Sequence, residues 1–145
     1  MKLLNEGVKF SVLLAPQADG QADDDSLNVD MAGYDGVMFI CLLGTITGSG
    51  TVTMVGQQAA TDIAGDALDG ASVVATGAAD SDLLLALDIY QPTDRYVGVN
   101  VVRAVANSVL GGVLAIQYRG RSEPITQASA QMAATLVALV SPDEA

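Results

Sequence analysis

Apolar residues recur at every second position along much of this chain, the pattern of β-strands with one buried face. The pattern is most regular between Leu83 and Arg121, where it predicts three consecutive strands. These are Leu83–Tyr90, Arg95–Ala104 and Gly112–Arg119. The sequence QPTD forms a turn between the first two, and VANSVLGG forms a longer loop between the last two. Because Val102 breaks the alternation, we expect a β-bulge before Arg103.

The N-terminal half contains further strand signals, separated by turn residues. Val8–Leu14, Leu27–Met31 and Ala71–Thr76 are expected to be strands. The run Val37–Leu43 is apolar at every position, which predicts a central strand buried on both faces. Thr45–Thr47 and Thr51–Val55 flank the sequence GSG and predict a β-hairpin.

Two stretches lack a regular pattern and are predicted to be loops. Gln17–Ser26 is acidic, with a DDD cluster at Asp23–Asp25 that superficially suggests calcium. The Gly and Glu positions of an EF-hand do not follow it, so a solvated loop is the preferred interpretation. Gln57–Gly70 is interpreted as a long loop with at most one helical turn, because Gly65 interrupts its helix-forming residues.

The predicted fold class is all-β: a single-domain antiparallel β-sandwich of Greek-key or jelly-roll type. Residues 1–121 form the sandwich, and residues 122–145 form a C-terminal arm or a final strand. A helical face through Ile125, Met132, Leu136 and Val140 is the alternative for this tail. The β-branched residues Val137 and Val140 favour an extended arm instead.

The composition predicts that the protein assembles with other chains. Of 145 residues, 50% are hydrophobic and only 16% are charged. A domain of this size cannot bury that much apolar surface alone, so we expect an obligate homodimer or homotrimer, or a subunit of a larger assembly.

Charge is unevenly distributed along the sequence, with a net charge of −11. The chain has no Lys or Arg between Phe10 and Asp94, whereas the segment from Arg95 to Arg121 contains no acid. Overall acidity argues against nucleic acid as a partner. The candidate partner-binding residues are Arg95, Arg103, Arg119 and Arg121, which suit carboxylates of another protein. Internal pairing with Asp88 or Asp94 is the alternative.

The residues needed for most enzymatic chemistry are missing. The chain has no His and a single cysteine, Cys41, which lies in an apolar run and is expected to be buried and unreactive. An internal disulfide and a Cys/His zinc site are both excluded. We therefore expect no catalytic residues, no metal and no cofactor, and interpret the protein as non-enzymatic.

The N-terminus superficially suggests a signal peptide. Only Phe10–Ala15 remains uninterrupted as an apolar core, which is shorter than such cores run. Neither export nor a membrane span is expected, because no apolar run approaches about 20 residues.

A set of short motifs runs through the chain, mostly in its second half. They comprise Asp88–Tyr90, Pro92, Arg95–Val97, Arg103, Ala106–Val109, Ala115–Tyr118, Pro124 and Ser141–Ala145, with a Gly-Tyr-x-Gly-Val block in Gly33–Gly44. In order, they give a D-[VI]-Y-x-P-x-x-R-Y-V motif, a strand ending in Arg, an A-N-[SA]-V loop, a strand ending A-I-Q-Y, and an S-P-x-E-A-like tail. These motifs resemble those of a family of small proteins encoded in tailed-bacteriophage genomes near the major capsid protein gene.

The resemblance implies a structural role as a capsid decoration, or cement, protein of the virion. Such a protein is made in the host cytoplasm, binds the major capsid protein on the outer face of the head, and stabilises the shell through many weak contacts. Two alternatives remain open: a tail or head–tail joining component, and a glycan-binding or small-molecule-binding jelly-roll module.

Overall fold

The computed structural model describes residues 4–62, 65–134 and 136–137. These ranges contain ten β-strands, one short helix and two 3₁₀ turns. The strands are β1 (Val8–Leu14), β2 (Gln17–Gly20), β3 (Asp23–Asp25), β4 (Val29–Asp30), β5 (Gly36–Ile46), β6 (Thr51–Ala59), β7 (Asp66–Thr76), β8 (Leu84–Tyr90), β9 (Tyr96–Ala104) and β10 (Ser108–Tyr118). The helix α1 spans Leu4–Gly7, and the 3₁₀ turns span Ala78–Asp80 and Ser129–Gln131.

The strands form two antiparallel sheets packed face to face. Sheet A has the order β1-β10-β5-β8, with β2 also paired to β10. Sheet B has the order β3-β9-β6-β7, with β4 also paired to β9. Most consecutive long strands lie in opposite sheets, which is the winding of a jelly roll. The predicted all-β sandwich of jelly-roll type is therefore confirmed.

The core lies between the two sheets and is built from alternate residues of each strand. Phe39 and Cys41 of β5 face Val99 and Val101 of β9 across the sandwich, and all four side chains are buried. Because burial disfavours the thiolate, the pKa of Cys41 is raised to about 11. The expected burial of Cys41 is confirmed.

The expected hairpin around GSG is wrong, because β5 and β6 belong to different sheets. The turn is a corner between the sheets, and backbone hydrogen bonds to two segments distant in sequence hold it in place. Thr47 N–H donates to the Asn107 carbonyl at 2.9 Å, and Gly77 N–H donates to the Gly50 carbonyl at 2.8 Å. Gly48 has a φ of 54°, a backbone conformation that favours glycine. A corner between two sheets therefore accounts for the glycine-rich sequence as well as a hairpin would.

The expected bulge at Val102 is also wrong. The register between β9 and β6 is continuous from Tyr96 to Ala104. The alternation of apolar and polar residues breaks at this point because the charged Arg103 occupies an inward position. The other inward positions of β9 are held by apolar residues. Val102 keeps an outward position beside Thr53.

Both predicted loops contain strands. Gln17–Ser26 contains β2 and β3, and the DDD cluster pairs with β9 through Asp24 and Val101. Most of Gln57–Gly70 extends the hairpin of β6 and β7, with an irregular register between Val55 and Gln57. These polar strands were missed because they lie at sheet edges, where little apolar burial is needed.

The C-terminal segment follows the last strand of the sandwich, which ends at Tyr118. Its described residues contain no strand and lie along α1 and β1; Ile125 N–H donates to the Glu6 carbonyl of α1 at 3.0 Å. Of the predicted helical face, Val140 lies outside the described residues. Among the helices of the described chain, none is long and apolar enough to cross a membrane.

Candidate interaction surface

The outward side of sheet A is apolar across four of its five strands, β1, β10, β5 and β8. Register places the outward residues in rows, such as Val12, Leu114 and Ile40 on β1, β10 and β5. A second row joins Leu42 to Leu84. We call this surface the apolar face; it comprises Phe10, Val12, Met38, Ile40, Leu42, Leu84, Ala86, Leu114 and Ile116.

Part of the apolar face is open to solvent in the isolated chain, and its remaining residues are partly exposed. Val12, Leu42 and Leu84 are 47%, 52% and 53% exposed. The expectation that Val37–Leu43 is buried on both sides is therefore wrong for the single chain: β5 is central in sheet A, but only its alternate residues reach the core. Large contiguous apolar patches on soluble proteins mark interaction sites.

A shallow groove crosses the apolar face where β10 carries Gly111 and Gly112. The groove has a volume of about 340 Å³. It is lined by Val12, Leu14, Pro16, Ile40, Leu42, Gly111, Gly112, Val113 and Leu114. Gly112 has a φ of 99°, and a Cβ there would lie 2.6 Å from the Leu14 carbonyl oxygen. The groove floor thus requires glycine at this position.

Aromatic and charged side chains border the apolar face at the end where β10 finishes. Tyr118 hydroxyl donates to Asp88 at 2.7 Å, and its ring lies over Gly36, where a Cβ would clash with it. Burial and the Asp88 carboxylate raise the pKa of Tyr118 to about 12. Arg119 donates to the Tyr90 hydroxyl at 3.0 Å, with its guanidinium 5.6 Å from the ring centroid. We call Asp88, Tyr90, Tyr118 and Arg119 the aromatic rim.

Two glutamines of the C-terminal segment bind the free edge of β1. Gln127 accepts from the Phe10 amide at 3.1 Å and donates to the Val8 carbonyl at 2.7 Å. Gln131 accepts from the Val12 amide at 2.7 Å. These side-chain amides occupy positions that the backbone of a neighbouring strand would take.

The structure separates the four arginines that the sequence groups together. Arg103 is buried: its Nη1 donates to the carbonyls of Ala18 at 2.8 Å and Ser108 at 2.9 Å. Its Nη2 lies 2.9 Å from Asp24 Oδ2, an ion pair outside hydrogen-bond geometry. Burial removes Arg103 from the expected partner-binding set, because its charge is satisfied inside the sandwich.

Arg95 lies at the surface and is already paired. Its guanidinium forms a two-pronged ion pair with Asp30, at 2.8 and 2.7 Å. The hydrogen bond from Arg95 lowers the pKa of Asp30 to about 2, and the same bond raises the pKa of Arg95. The expected internal partners were Asp88 and Asp94, whereas the acids that pair with Arg95 and Arg103 come from β4 and β3.

Arg119 and Arg121 remain as exposed cations near the aromatic rim. Arg121 lies with Arg95 on a polar cleft of about 410 Å³, which Tyr34, Asp35 and Asp94 also line. The cleft mixes both signs of charge, so it does not select an anion. The basic patch expected from the sequence is therefore reduced to two residues.

Sequence reasoning missed the apolar face and the aromatic rim. The available signal was that Met38, Ile40 and Leu42 are as apolar as the residues between them. Such a run fits burial on both faces, and a partner chain can supply the second face.

No group of three or more acidic or cysteine side chains in the described ranges is placed to hold a metal ion. Asp25 of the DDD cluster instead accepts a hydrogen bond from Asn100 on the outward side of sheet B.

Comparison with known proteins finds structural similarity at low sequence identity. No protein-family model matches the chain, and no curated protein matches it. Among solved structures, the chain is similar to a protein from Bacillus endospore appendages, described as a novel family of disulfide-linked pili. The TM-score is 0.47 at 14% sequence identity, over 78% of this chain and 88% of that one. Similarity at this level does not identify a function.

Proposed function

We propose that this chain is a non-enzymatic structural protein of a tailed-bacteriophage virion, a decoration protein that binds the outer face of the head and stabilises the shell. The sequence resemblance supports the biological setting. The observation that carries the proposal is the pair of exposed cations Arg119 and Arg121, which lie at the border of the apolar face. Arg and Tyr side chains are enriched in protein–protein interfaces, and exposed arginines suit the carboxylates of a partner protein.

The proposed partner on the shell is the major capsid protein. Arg119 and Arg121 are the contacts proposed for acidic groups on the shell, because they are exposed and no ion pair occupies either of them in the described part of the chain. Each such contact is weak alone. Many copies on a lattice add to strong retention, which a decoration protein requires.

The proposal is tested by adding purified protein to phage heads that lack it and counting bound copies by cryo-electron microscopy. A decoration protein occupies the shell in hundreds of copies. A dozen copies or fewer, or binding at a single vertex, would contradict the proposal and favour a head–tail joining role.

A double variant, Arg119→Ser with Arg121→Ser, tests the proposed contact. We expect occupancy at limiting protein to fall about tenfold and its salt dependence to weaken, because two exposed charge contacts are lost. Arg95→Ser is the matched control at the same end of the sandwich, where Asp30 already neutralises the charge. Equal losses in both variants would mean that the arginines do not contact the shell.

A further inference from the structure

We infer that the apolar face of sheet A is a self-association surface, which a second copy of this chain covers in a twofold-symmetric dimer. The inference names a partner other than the capsid and holds whichever particle the protein decorates.

The first argument is charge. None of the nine residues of the apolar face is charged, although the chain carries a net charge of −11. Two copies of so acidic a protein repel each other unless their contact lies away from the acids. The acidic strand β3 lies in sheet B, so an apolar face on sheet A is a contact that two copies tolerate.

The second argument is shape, because the same face carries a protrusion and a recess side by side. Leu42 on β5 protrudes and is 52% exposed, and its register partner on β10 is Gly112, the floor of the groove. In a twofold contact, residue i of one copy meets residue j of the other, and j meets i. A twofold axis that runs between β5 and β10 places Leu42 of each copy over Gly112 of its partner.

The remaining rows also match under this axis. Ile40 of one copy lies over Leu114 of the other, and Leu84 on β8 lies over the β1 end of the groove near Pro16. Apolar residues thus meet apolar residues throughout the centre of the contact. The packing is that of two sheets about 10 Å apart.

The third argument is area. Four strands about 4.8 Å apart and three rows of outward residues about 7 Å apart give an apolar face of about 20 by 20 Å, or roughly 400 Å² per copy, and the aromatic rim adds a fourth row that brings the patch to roughly 500 Å². The total of roughly 1,000 Å² is at the lower end of specific interfaces. We therefore expect a dimer with a dissociation constant near micromolar.

The experiment measures the mass of the full chain by sedimentation equilibrium between about 1 and 200 µM, with no capsid present. The variant Leu84→Glu is expected to raise the dissociation constant about 100-fold or more, because two carboxylates would be buried in the contact. Leu42→Glu is an independent second variant and is expected to have at least the same effect. Both side chains are outward and more than half exposed, so both variants are expected to fold.

Val74→Glu is the matched control. Val74 is also an outward apolar residue on an edge strand, 55% exposed, but it lies on sheet B. We expect its dissociation constant to stay within about threefold of that of the unchanged chain. Circular dichroism on all variants confirms that each remains folded.

Three results would overturn the inference: a monomer throughout the concentration range, a trimer, or dissociation by Val74→Glu but not by Leu84→Glu. A monomer that Leu84→Glu destabilises would show that the chain's own C-terminal residues cover the face. Binding to phage heads is measured in the separate experiment described above. A monomeric chain that binds heads contradicts only this inference, and a dimeric chain that does not bind heads contradicts only the proposed function.

Discussion

The outward sides of the two sheets differ, although their inward sides share one core. Sheet B presents hydroxyl, amide and carboxylate groups with a few valines between them; its outward residues include Asp23, Asp25, Thr51, Thr53, Val55, Ser72, Val74, Thr76, Asn100 and Val102. Sheet A presents an almost unbroken set of large apolar side chains. The outward side of sheet B is thus suited to contact with solvent, whereas the outward side of sheet A has the composition of a protein–protein contact surface.

This difference explains where the hydrophobic surplus of the chain is located. In β6, the inward residues Val52 and Met54 are apolar and the outward residues Thr51 and Thr53 are polar. This is the pattern of a strand with one solvent-exposed face. In β5, outward Ile40 is as apolar as its inward neighbours. The excess is therefore concentrated on one side of one sheet.

The most stringent test of the difference between the inward and outward sides of sheet A is to truncate two adjacent residues of β5, one on each side. Phe39 is fully buried between the sheets, so Phe39→Ala is expected to lower the free energy of unfolding by about 3–5 kcal/mol. Ile40 lies on the apolar face, so Ile40→Ala is expected to cost about 1 kcal/mol in the monomer. Urea unfolding at low protein concentration measures both, and equal costs would mean that the outward side is as buried as the core.

Replacement of Arg103 tests how the two sheets are held together at their other end. Arg103 extends from β9 of sheet B to carbonyls of Ala18 and Ser108 in β2 and β10 of sheet A. Arg103→Met would leave those carbonyls and Asp24 without their cation, at an expected cost of about 3 kcal/mol. Arg119→Met is the control and should change the free energy of unfolding by less than about 0.5 kcal/mol. Similar values for the two variants would place Arg103 at the surface after all.

The smallest expected effect concerns the ion pair of Arg95 with Asp30 in sheet B. The pKa of Asp30 is about 2 in the folded chain, below its ordinary value of 3.8. The pair therefore stabilises the fold above about pH 4, and this contribution is lost as the pH falls from 4 towards 2. Both side chains are about half exposed, so screening by solvent makes this the smallest contribution of the three. NMR titration of Asp30 checks the pKa; a midpoint near 4 would show that the pair is absent in solution.

The sequence predicts the sandwich well because burial of alternate residues determines most of its strands. β1, β8 and β9 lie within one residue of their expected positions, whereas β5 is longer than expected and β10 begins at Ser108, so that it includes most of the expected loop VANSVLGG. It fails where structure does not depend on apolar burial, as in the polar edge strands of Gln17–Ser26 and Gln57–Gly70. The hairpin at GSG fails for another reason: a glycine turn permits a corner between sheets as readily as a hairpin within one.

The arginines show why a candidate site is harder to predict than a fold. Arg95, Arg103, Arg119 and Arg121 lie in a stretch without acids, yet β3 and β4 bring Asp24 and Asp30 to two of them across about 65 to 80 residues of sequence. Charge along a sequence describes neighbours in the chain, whereas pairing in a sheet depends on topology. The apolar face was missed for the corresponding reason, since a run of apolar residues does not specify whether the covering layer is intramolecular.

The two glutamines on β1 limit how the protein can grow into larger aggregates. A backbone strand added to an open edge presents a new edge of its own, so the addition can repeat without end. Each glutamine side chain supplies a single amide, and it presents no second row of donors and acceptors to a further strand. Gln127 and Gln131 therefore terminate the hydrogen-bond ladder of sheet A at β1. Repeated strand addition is therefore blocked at this edge of sheet A.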